Sequence, residues 1–362
     1  MRLDALNCVC PYYTMYPLNF PLGFLKRHGK QGDWVVDPFC GRGTTNFAAR
    51  LLGMPSVGVD SSPVAVALAK AKLAVAGSAL VVECARAILN TADEPASIPS
   101  GQFWSFAYHE HTLLQLCQLR KALLTDSSSS ERILLRAIIL GALHGPRTKV
   151  TQSHFSNQSF RTFAPKPDYA VKFWTERNML PEEVDVLSII KIRAERYLSD
   201  VLPVVQSKVR LGDSRIIDTF NDMPKARFII TSPPYYGMRT YLQDQWLRLW
   251  FLGGSDYVDY RQTESQLEHT GADRFADDLR LVWKNVASFV TSDACLLVRY
   301  GGIHSRHVEP MEVLKMSLSG TRWRIVTVRA SPNSDRGRRQ VRQFQIEPKK
   351  AVTEYDVYCH LV

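Results

Sequence analysis

Residues 34–45 read WVVDPFCGRGTT, an apolar run that ends in an acid and is followed by a glycine-rich turn and the start of a helix. The run Trp34–Val36 predicts a buried strand, because parallel strands that are covered on both faces are continuously apolar. Gly41 and Gly43 allow a tight turn and a close approach of the backbone to a ligand. Together these features predict a ligand pocket at the carboxyl edge of an α/β sheet.

Two further predicted strands also end in acids. Asp60 ends the strand after the first helix, and Asp213 ends a third strand much later in the chain. Asp60 can accept both hydroxyls of a ribose, and Asp213 is expected near an adenine ring. The sixth position of the turn is Asn46, where pyrophosphate dinucleotide sites usually have glycine. The pattern therefore favours an adenosyl ligand without a pyrophosphate.

A second motif, TSPPY at residues 231–235, directly follows the apolar strand Phe228–Ile230. Two consecutive prolines fix a rigid turn and cannot continue a central strand. Because parallel strands end at one edge of a sheet, we expect Ser232 and Tyr235 to lie beside the ligand pocket. Taken alone, the motif is also compatible with a simple end to a strand.

Residues 37–45 resemble motif I of DNA amino-methyltransferases, which methylate cytosine N4 or adenine N6, and residues 232–235 resemble motif IV of that family. The resemblance implies S-adenosylmethionine as cofactor and a Rossmann-like class I methyltransferase sheet of the α/β class. The N-terminal helix around Phe20 looks like motif X, which covers the methionine end of the cofactor. The cofactor site implied by the family comprises Phe20, Asp37, Pro38, Phe39, Gly41, Gly43, Thr44, Thr45, Asp60 and Asp213.

The same resemblance implies a catalytic set of Ser232, Pro233, Pro234 and Tyr235. An exocyclic amine would donate to the Ser232 hydroxyl and the Pro233 carbonyl, which aims its lone pair at the methyl group. Tyr235 would stack on a base flipped out of the duplex. Serine at the first position resembles the cytosine-N4 branch, so N4 is the first expectation and adenine N6 the second. None of the seven cysteines follows a proline, which argues against carbon-5 methylation.

The sequence predicts a catalytic domain in two parts, residues 1–77 and 208–362, interrupted by a mainly helical insertion at 78–207. That insertion is the candidate target-recognition region. Many SPPY enzymes carry motif IV before motif I, so the order here is a permutation of that arrangement. Two final strands, 323–329 and 355–361, are expected to pair as a hairpin across a basic connector.

The formal charge of +10 is local. Gly145–Arg177 has six Lys/Arg against two acids, and Arg299–Lys350 has twelve against four. The first segment interleaves Phe155, Phe160 and Phe163 with polar side chains, a mixture that suits contacts with DNA phosphates and bases. A polar surface loop pinned by its aromatic residues is the alternative. The second segment contains the run Arg336–Arg339, which a mobile arm can bring to phosphates.

Composition excludes several other classes. No run approaches the roughly 18 apolar residues of a membrane span, and the N-terminus lacks the pattern of a secretory leader. Scattered cysteines favour a reducing cytoplasm, and His304 and His307 have no further ligand spacing, so no metal is expected. The expected partners are DNA and, by resemblance, a cognate restriction endonuclease or defence-system subunits. The alternatives are an RNA guanine-N2 methyltransferase and a non-enzymatic DNA-binding module with a degenerate cofactor site.

Overall fold

The computed structural model describes residues 5–12, 16–91, 95, 97–145, 152–156, 166–237, 242–259, 267, 271–302, 308–331 and 353–362. The chain forms two units, each considered by itself. The sheet unit comprises Tyr12–Leu73, Leu202–Thr240 and Thr263–Val362. The helical unit comprises Met1–Pro11, Ala74–Val201 and Tyr241–Gln262.

The sheet unit is built on seven strands. They are β1 (Val35–Asp37), β2 (Ser56–Asp60), β3 (Ser207–Leu211), β4 (Ala226–Thr231), β5 (Val290–Tyr300), β6 (Trp323–Ala330) and β7 (Tyr355–Leu361). Their order in the sheet is β3-β2-β1-β4-β5-β7-β6, and the first five run parallel. β7 is antiparallel to both of its neighbours, with Arg299 of β5 opposite Asp356. This order confirms the predicted Rossmann-like class I methyltransferase sheet, whose ligand edge lies where the order of the strands reverses, between β1 and β4.

Helices cover both faces of this sheet. They are α1 (Asn19–His28), α2 (Thr44–Leu51), α3 (Pro63–Leu73), α11 (Ala272–Ala287) and α12 (Pro310–Leu318). α11 buries Phe275, Leu279, Val282 and Val286, whose spacing places them on one face of a helix. They join one core cluster, and Phe24 of α1 joins a second that contains other strand residues. The strands can therefore be continuously apolar, as Trp34–Val36 suggested.

The helical unit contains seven helices within the described ranges. They are α4 (Ser78–Leu89), α5 (Gln102–Ala107), α6 (Glu110–Thr125), α7 (Ser130–Ala142), α8 (Pro167–Thr175), α9 (Val186–Tyr197) and α10 (Trp246–Phe251). Two buried arginines join them, because Arg193 donates to the Gly141 carbonyl (2.7 Å) and Arg248 to the Leu140 carbonyl (3.1 Å). Trp104 packs on Trp250 with ring centroids 4.6 Å apart.

The division into units differs from the sequence-based one at both ends of the insertion, which runs from Ala74 to Val201 and not over 78–207, and in two further segments. Met1–Pro11 and Tyr241–Gln262 were assigned to the catalytic domain by sequence, yet both belong to the helical unit. Arg248 binds to the end of α7, and a Cβ on Gly141 would lie 2.3 Å from the carbonyl oxygen of Val9, so both segments pack closely on α7. Such contacts connect residues more than a hundred positions apart, and local patterns do not show them.

The proposed DNA-contacting segments are only partly described. Phe155 is fully buried, so it contributes to the core and is not available to a base, contrary to expectation. Lys149, Phe160, Arg161, Phe163 and Arg336–Arg339 lie outside the described residues, as do His304 and His307. β6 and β7 pair antiparallel, with Trp323 opposite Leu361, as the hairpin prediction requires. No described helix is both long and apolar enough to cross a bilayer.

Candidate active site

The turn after β1 has two glycines that serve different purposes. Both have a positive φ, +50° at Gly41 and +77° at Gly43, which L side chains rarely adopt. A Cβ on Gly43 would lie 2.8 Å from the Cα of Ala69 in α3, so this glycine permits close packing of α2 and α3. A Cβ on Gly41 would meet no atom within 4 Å. The chain therefore leaves open space beside Gly41, at the carboxyl edge of the sheet.

Asp60 holds this turn in place. One oxygen of its carboxylate accepts the Gly41 N–H (2.8 Å) and the other accepts the Ser62 N–H (2.9 Å). Burial raises the pKa of Asp60 to about 6, and the charge of Asp37 adds to the rise. Each carboxylate oxygen has a second lone pair, so both can also accept ribose hydroxyls.

Asp37 uses its carboxylate within the protein. Oδ1 accepts the Thr231 hydroxyl (2.6 Å) and the Phe39 N–H (3.1 Å), and Oδ2 accepts the Tyr16 hydroxyl (2.8 Å). The side chain is fully buried, and burial raises its pKa despite these donors. Asp37 thus joins β1 to the end of β4, directly before the Ser-Pro-Pro-Tyr turn. Its predicted place in the cofactor site stays a prediction, and within the protein it connects the two strand ends.

The other residues of motif I extend this network. The Thr45 hydroxyl lies 2.5 Å from that of Tyr16 and donates to the Ile230 carbonyl of β4 (3.1 Å). Thr44 is buried at the first position of α2. The Pro38 carbonyl accepts the Ser214 hydroxyl (2.6 Å), which brings the loop after β3 onto the motif I turn.

Two aromatic rings border this edge. Phe39 is partly exposed and packs edge-on against Trp283, with centroids 6.3 Å apart. Phe20 of α1 has the Arg299 guanidinium 4.1 Å from its ring centroid and Tyr16 edge-on at 5.5 Å. One face of Phe20 is therefore already occupied by a cation.

Arg299 is buried and bound at both ends of its guanidinium group. Its Nε and Nη2 donate to the two oxygens of Asp356 at 2.7 and 2.8 Å. Arg299 begins the basic segment that the sequence predicts to contact DNA. Its charge is instead neutralised inside the sheet unit, because its partner stands opposite on the neighbouring strand.

Asp213 is held by a neighbouring arginine. Arg215 donates to both of its carboxylate oxygens, at 2.6 Å from Nη2 and 3.0 Å from Nε, and also binds Asp278 (2.8 Å). Burial raises the pKa of Asp213, but the hydrogen bonds from Arg215 outweigh it and leave the pKa below its usual value. The loop residue beside it, Ser214, makes the contact with motif I.

The Ser-Pro-Pro-Tyr turn begins where β4 ends. Pro233 is buried, and Ser232, Pro234 and Tyr235 are partly exposed. The Tyr235 hydroxyl donates to Oε1 of Glu354 (3.1 Å). Tyr300 packs edge-on beneath the Tyr235 ring at 5.4 Å.

The structure thus joins the two motifs directly, through the bond between Asp37 and Thr231. Four residues of this network were missed from the sequence: Tyr16, Thr231, Arg299 and Glu354. Thr231 had a weak signal because it precedes Ser232, whereas nothing local marks the others. Among the described residues, no three His, Cys, Asp or Glu side chains are arranged to hold a metal ion.

Comparison with known proteins identifies the motif I region. A family model described as DNA methylase matches residues 9–71. Over 72 residues the chain is 46% identical to the type II methyltransferase M.MjaII of Methanocaldococcus jannaschii. This match covers 20% of this chain and 14% of that protein. Residues 9–71, well under half of the chain, are therefore similar to DNA amino-methyltransferases. Phe20, the glycine-rich turn and Asp60 all lie in this amino-methyltransferase segment.

Solved structures resemble the chain more distantly. The rRNA methyltransferase AviRa of Streptomyces viridochromogenes matches 99% of this chain and 93% of its own, with 13% identity and a TM-score of 0.37. A SAM-dependent methyltransferase of Methanosarcina mazei matches 97% of this chain and 99% of its own, with 8% identity and a TM-score of 0.38. The fold assignment itself rests on the order and direction of the seven strands.

The residues at the sheet edge fit S-adenosylmethionine, the cofactor that the resemblance to DNA amino-methyltransferases implies. The space that a Cβ on Gly41 would occupy is open, and the backbone there can approach a ligand closely. Asp60 lies one strand away with two carboxylate oxygens able to accept ribose hydroxyls. Phe39 offers a partly exposed ring on the other side of the turn.

Proposed function

We propose that this protein is a DNA methyltransferase that modifies an exocyclic amine, with cytosine N4 as the first target and adenine N6 as the second. The observation that carries the proposal is the 2.6 Å bond between Thr231 and Asp37. It joins the strand end before the Ser-Pro-Pro-Tyr turn to the strand end before the glycine-rich turn. A methyl acceptor held by the Ser-Pro-Pro-Tyr turn therefore lies beside a methyl donor held by the glycine-rich turn.

When bound, S-adenosylmethionine supplies an electrophilic methyl group on a sulfonium. The chain's own residues then act by position. The amine donates its hydrogens to the Ser232 hydroxyl and the Pro233 carbonyl, so its lone pair is directed away from them and toward the methyl group. The prolines keep that turn rigid, which avoids an entropic cost during the reaction.

The target base must leave the duplex to reach Ser232, as in other enzymes that act on bases. Tyr235 is already fixed for stacking, because its hydroxyl is bound to Glu354 and its ring rests against Tyr300. A ring held in one orientation can stack on a base without losing further freedom. This arrangement supports base flipping and offers the same ring to cytosine or adenine.

The preference for N4 rests on the side chain at the first position of the turn. Serine provides one small hydroxyl, and the resemblance connects it with the cytosine branch.

We further propose that residues 78–207 contribute target recognition and that a cognate restriction endonuclease or defence subunit is the partner. We also propose that the protein acts in the cytoplasm, because its scattered cysteines suit a reducing compartment.

The experiment is methylation of defined DNA with radiolabelled cofactor, followed by mass spectrometry of the released nucleosides. N4-methylcytosine supports the main proposal and N6-methyladenine its alternative. Ser232→Ala should lower kcat at least tenfold while calorimetric affinity for the cofactor stays within about twofold. Label in RNA but in no DNA would instead favour the guanine-N2 reaction and refute the proposal.

A further inference from the structure

The chain turns a corner directly after β3, at the edge of the sheet where the cofactor is expected. We call residues 212–215 the β3 corner. The Gly212 N–H donates to the Asp60 carbonyl (3.0 Å), and the Ser214 hydroxyl donates to the Pro38 carbonyl (2.6 Å). The β3 corner therefore contacts both the ribose-binding strand end of the proposed site and the start of the glycine-rich turn. Its position sets the space between them.

Arg215 fastens the β3 corner to α11. Its Nη2 and Nε donate to the Asp213 carboxylate at 2.6 and 3.0 Å, and its Nη1 donates to Asp278 of α11 at 2.8 Å. Asn285, seven positions further along α11, donates to the Ser214 carbonyl (3.0 Å). The β3 corner is therefore fixed to one face of α11 at two points that are about two helical turns apart.

Both partners of this fastening suit it. A planar guanidinium can bind one carboxylate at two points, which fixes its orientation as well as its distance. Arg215, Asp213 and Asp278 are all partly buried, so water screens their attraction less than at an open surface. α11 also carries Trp283, which packs edge-on against Phe39 of the glycine-rich turn. One helix thus supports the β3 corner and an aromatic ring of the expected cofactor site.

We propose that Arg215 is a positioning residue for the adenosine half of the cofactor. It keeps the β3 corner against α11, so the pocket between that corner and Asp60 is formed before the cofactor binds. This inference deepens the proposed function, because it rests on the S-adenosylmethionine site of that proposal. A preformed pocket spends less binding energy on ordering, so the effect falls on cofactor affinity and not on the methyl transfer itself.

A second arginine in the same sheet unit provides a matched control. Arg227, at the start of β4, also binds two aspartates, Asp33 through Nη1 (2.7 Å) and Asp293 through Nε (3.0 Å). Its side chain is 26% exposed, against 25% for Arg215. Because parallel strands begin at one edge of a sheet and end at the other, Arg227 lies at the edge opposite Asp60. Its loss should destabilise the sheet in a similar way without changing the cofactor site.

The experiment is calorimetric titration with S-adenosylhomocysteine and with adenosine, below the melting temperature of each variant. Arg215→Gln should lose about tenfold in affinity for both ligands, by the same factor, since both contain adenosine. Asp278→Asn keeps the bond between Arg215 and Asp213 but weakens the link to α11, so it should lose about fivefold. Arg215→Lys keeps the charge without the two-point contact and should bind with an affinity between those of Arg215→Gln and the wild type. Arg227→Gln should bind both ligands within about twofold of wild type.

Methylation kinetics give a second readout that a general loss of structure would not reproduce. Arg215→Gln should raise the KM for S-adenosylmethionine about tenfold while kcat at saturating cofactor stays within about twofold of wild type, as expected when only binding is weakened. A general loss of structure would lower kcat as well.

The outcomes separate this inference from the proposed function. Arg215→Gln protein that binds S-adenosylhomocysteine as tightly as Arg227→Gln protein would overturn the positioning role alone. A larger loss for S-adenosylhomocysteine than for adenosine would locate the effect at the methionine end and would also overturn it. Wild-type protein that binds S-adenosylhomocysteine but methylates no DNA would overturn the proposed function alone. Wild-type protein that binds neither ligand would overturn both.

Discussion

The two glycines of the turn provide a matched pair of substitutions. Gly41→Ala and Gly43→Ala each add one methyl group to a residue with positive φ. Both variants therefore share the strain of a left-handed alanine, about 1 kcal/mol. Both also share the gain from a less flexible unfolded chain, about 0.4–1 kcal/mol. The difference between them isolates what each new Cβ meets.

At Gly43 the new Cβ meets the Cα and Cβ of Ala69, each at 2.8 Å. Backbone cannot rotate away, so α2 and α3 must separate. Overpacking of this kind costs about 1–3 kcal/mol. We therefore expect Gly43→Ala to be less stable than Gly41→Ala by about 2 kcal/mol. At Gly41 the new Cβ projects into the open space assigned to the cofactor. The free energy of unfolding of Gly41→Ala should therefore stay within about 1 kcal/mol of wild type.

The assays are urea unfolding, hydrogen exchange of α2 and α3, and calorimetric titration with S-adenosylmethionine. Gly43→Ala should speed exchange in both helices. Gly41→Ala should keep wild-type exchange but lose at least tenfold in affinity, which corresponds to about 1.4 kcal/mol. Equal stability of the two variants would refute the packing reasoning at Gly43. Wild-type affinity in Gly41→Ala would show that the open space is not where the cofactor binds.

Three other predictions concern the polar network. Because the pKa of Asp60 rises from 3.8 to about 6 on folding, the folded protein binds more protons in that range, and its stability should fall as pH rises from about 4 to about 6. The free energy of unfolding from urea melts should fall by up to about 3 kcal/mol over this range. Asp60→Asn should show no such dependence on pH. Thr231→Val removes a donor to the buried Asp37 carboxylate and should cost about 2 kcal/mol, whereas Thr231→Ser, which keeps the hydroxyl, should melt close to wild type. Arg299→Lys loses the two-point ion pair with Asp356 and the stacking of the guanidinium on Phe20. The KM for the cofactor should therefore rise about fivefold. An unchanged KM would show that Phe20 is not part of the cofactor site.

The strands and the two turns were predictable because their signals are local. Apolar runs that end in acids identified β1 and β2, and the consecutive prolines located the end of β4 within one residue of its bound at Thr231. Asn46 was read as evidence against a dinucleotide. In the structure it is fully buried and donates to the Ser56 hydroxyl (3.2 Å), so it ties α2 to β2. The local motif thus indicated which class of ligand Asn46 excludes, but not which contacts its side chain makes.

The contacts that the sequence did not anticipate share one cause, which is that the partner residues are distant in the chain or were not considered. Asp37 was read as a ligand because its two hydroxyl donors, Tyr16 and Thr231, lie 21 and 194 positions away. Arg299 was read as a DNA contact because Asp356 is 57 positions away on a neighbouring strand. Asp213 is an exception, since Arg215 lies only two positions on and was visible to inspection.

Sequence alone predicted the class of sheet and the position of both functional turns, since each depends on residue types within a few positions of one another, and the family resemblance implied the cofactor. Only the tertiary structure decided which carboxylates remain open to a ligand. Asp60 keeps lone pairs at the sheet edge, whereas Asp37 and Asp213 are committed to donors from the protein. A carboxylate's availability depends on every donor that folding brings to it, and those donors come from strands that meet only when the sheet forms.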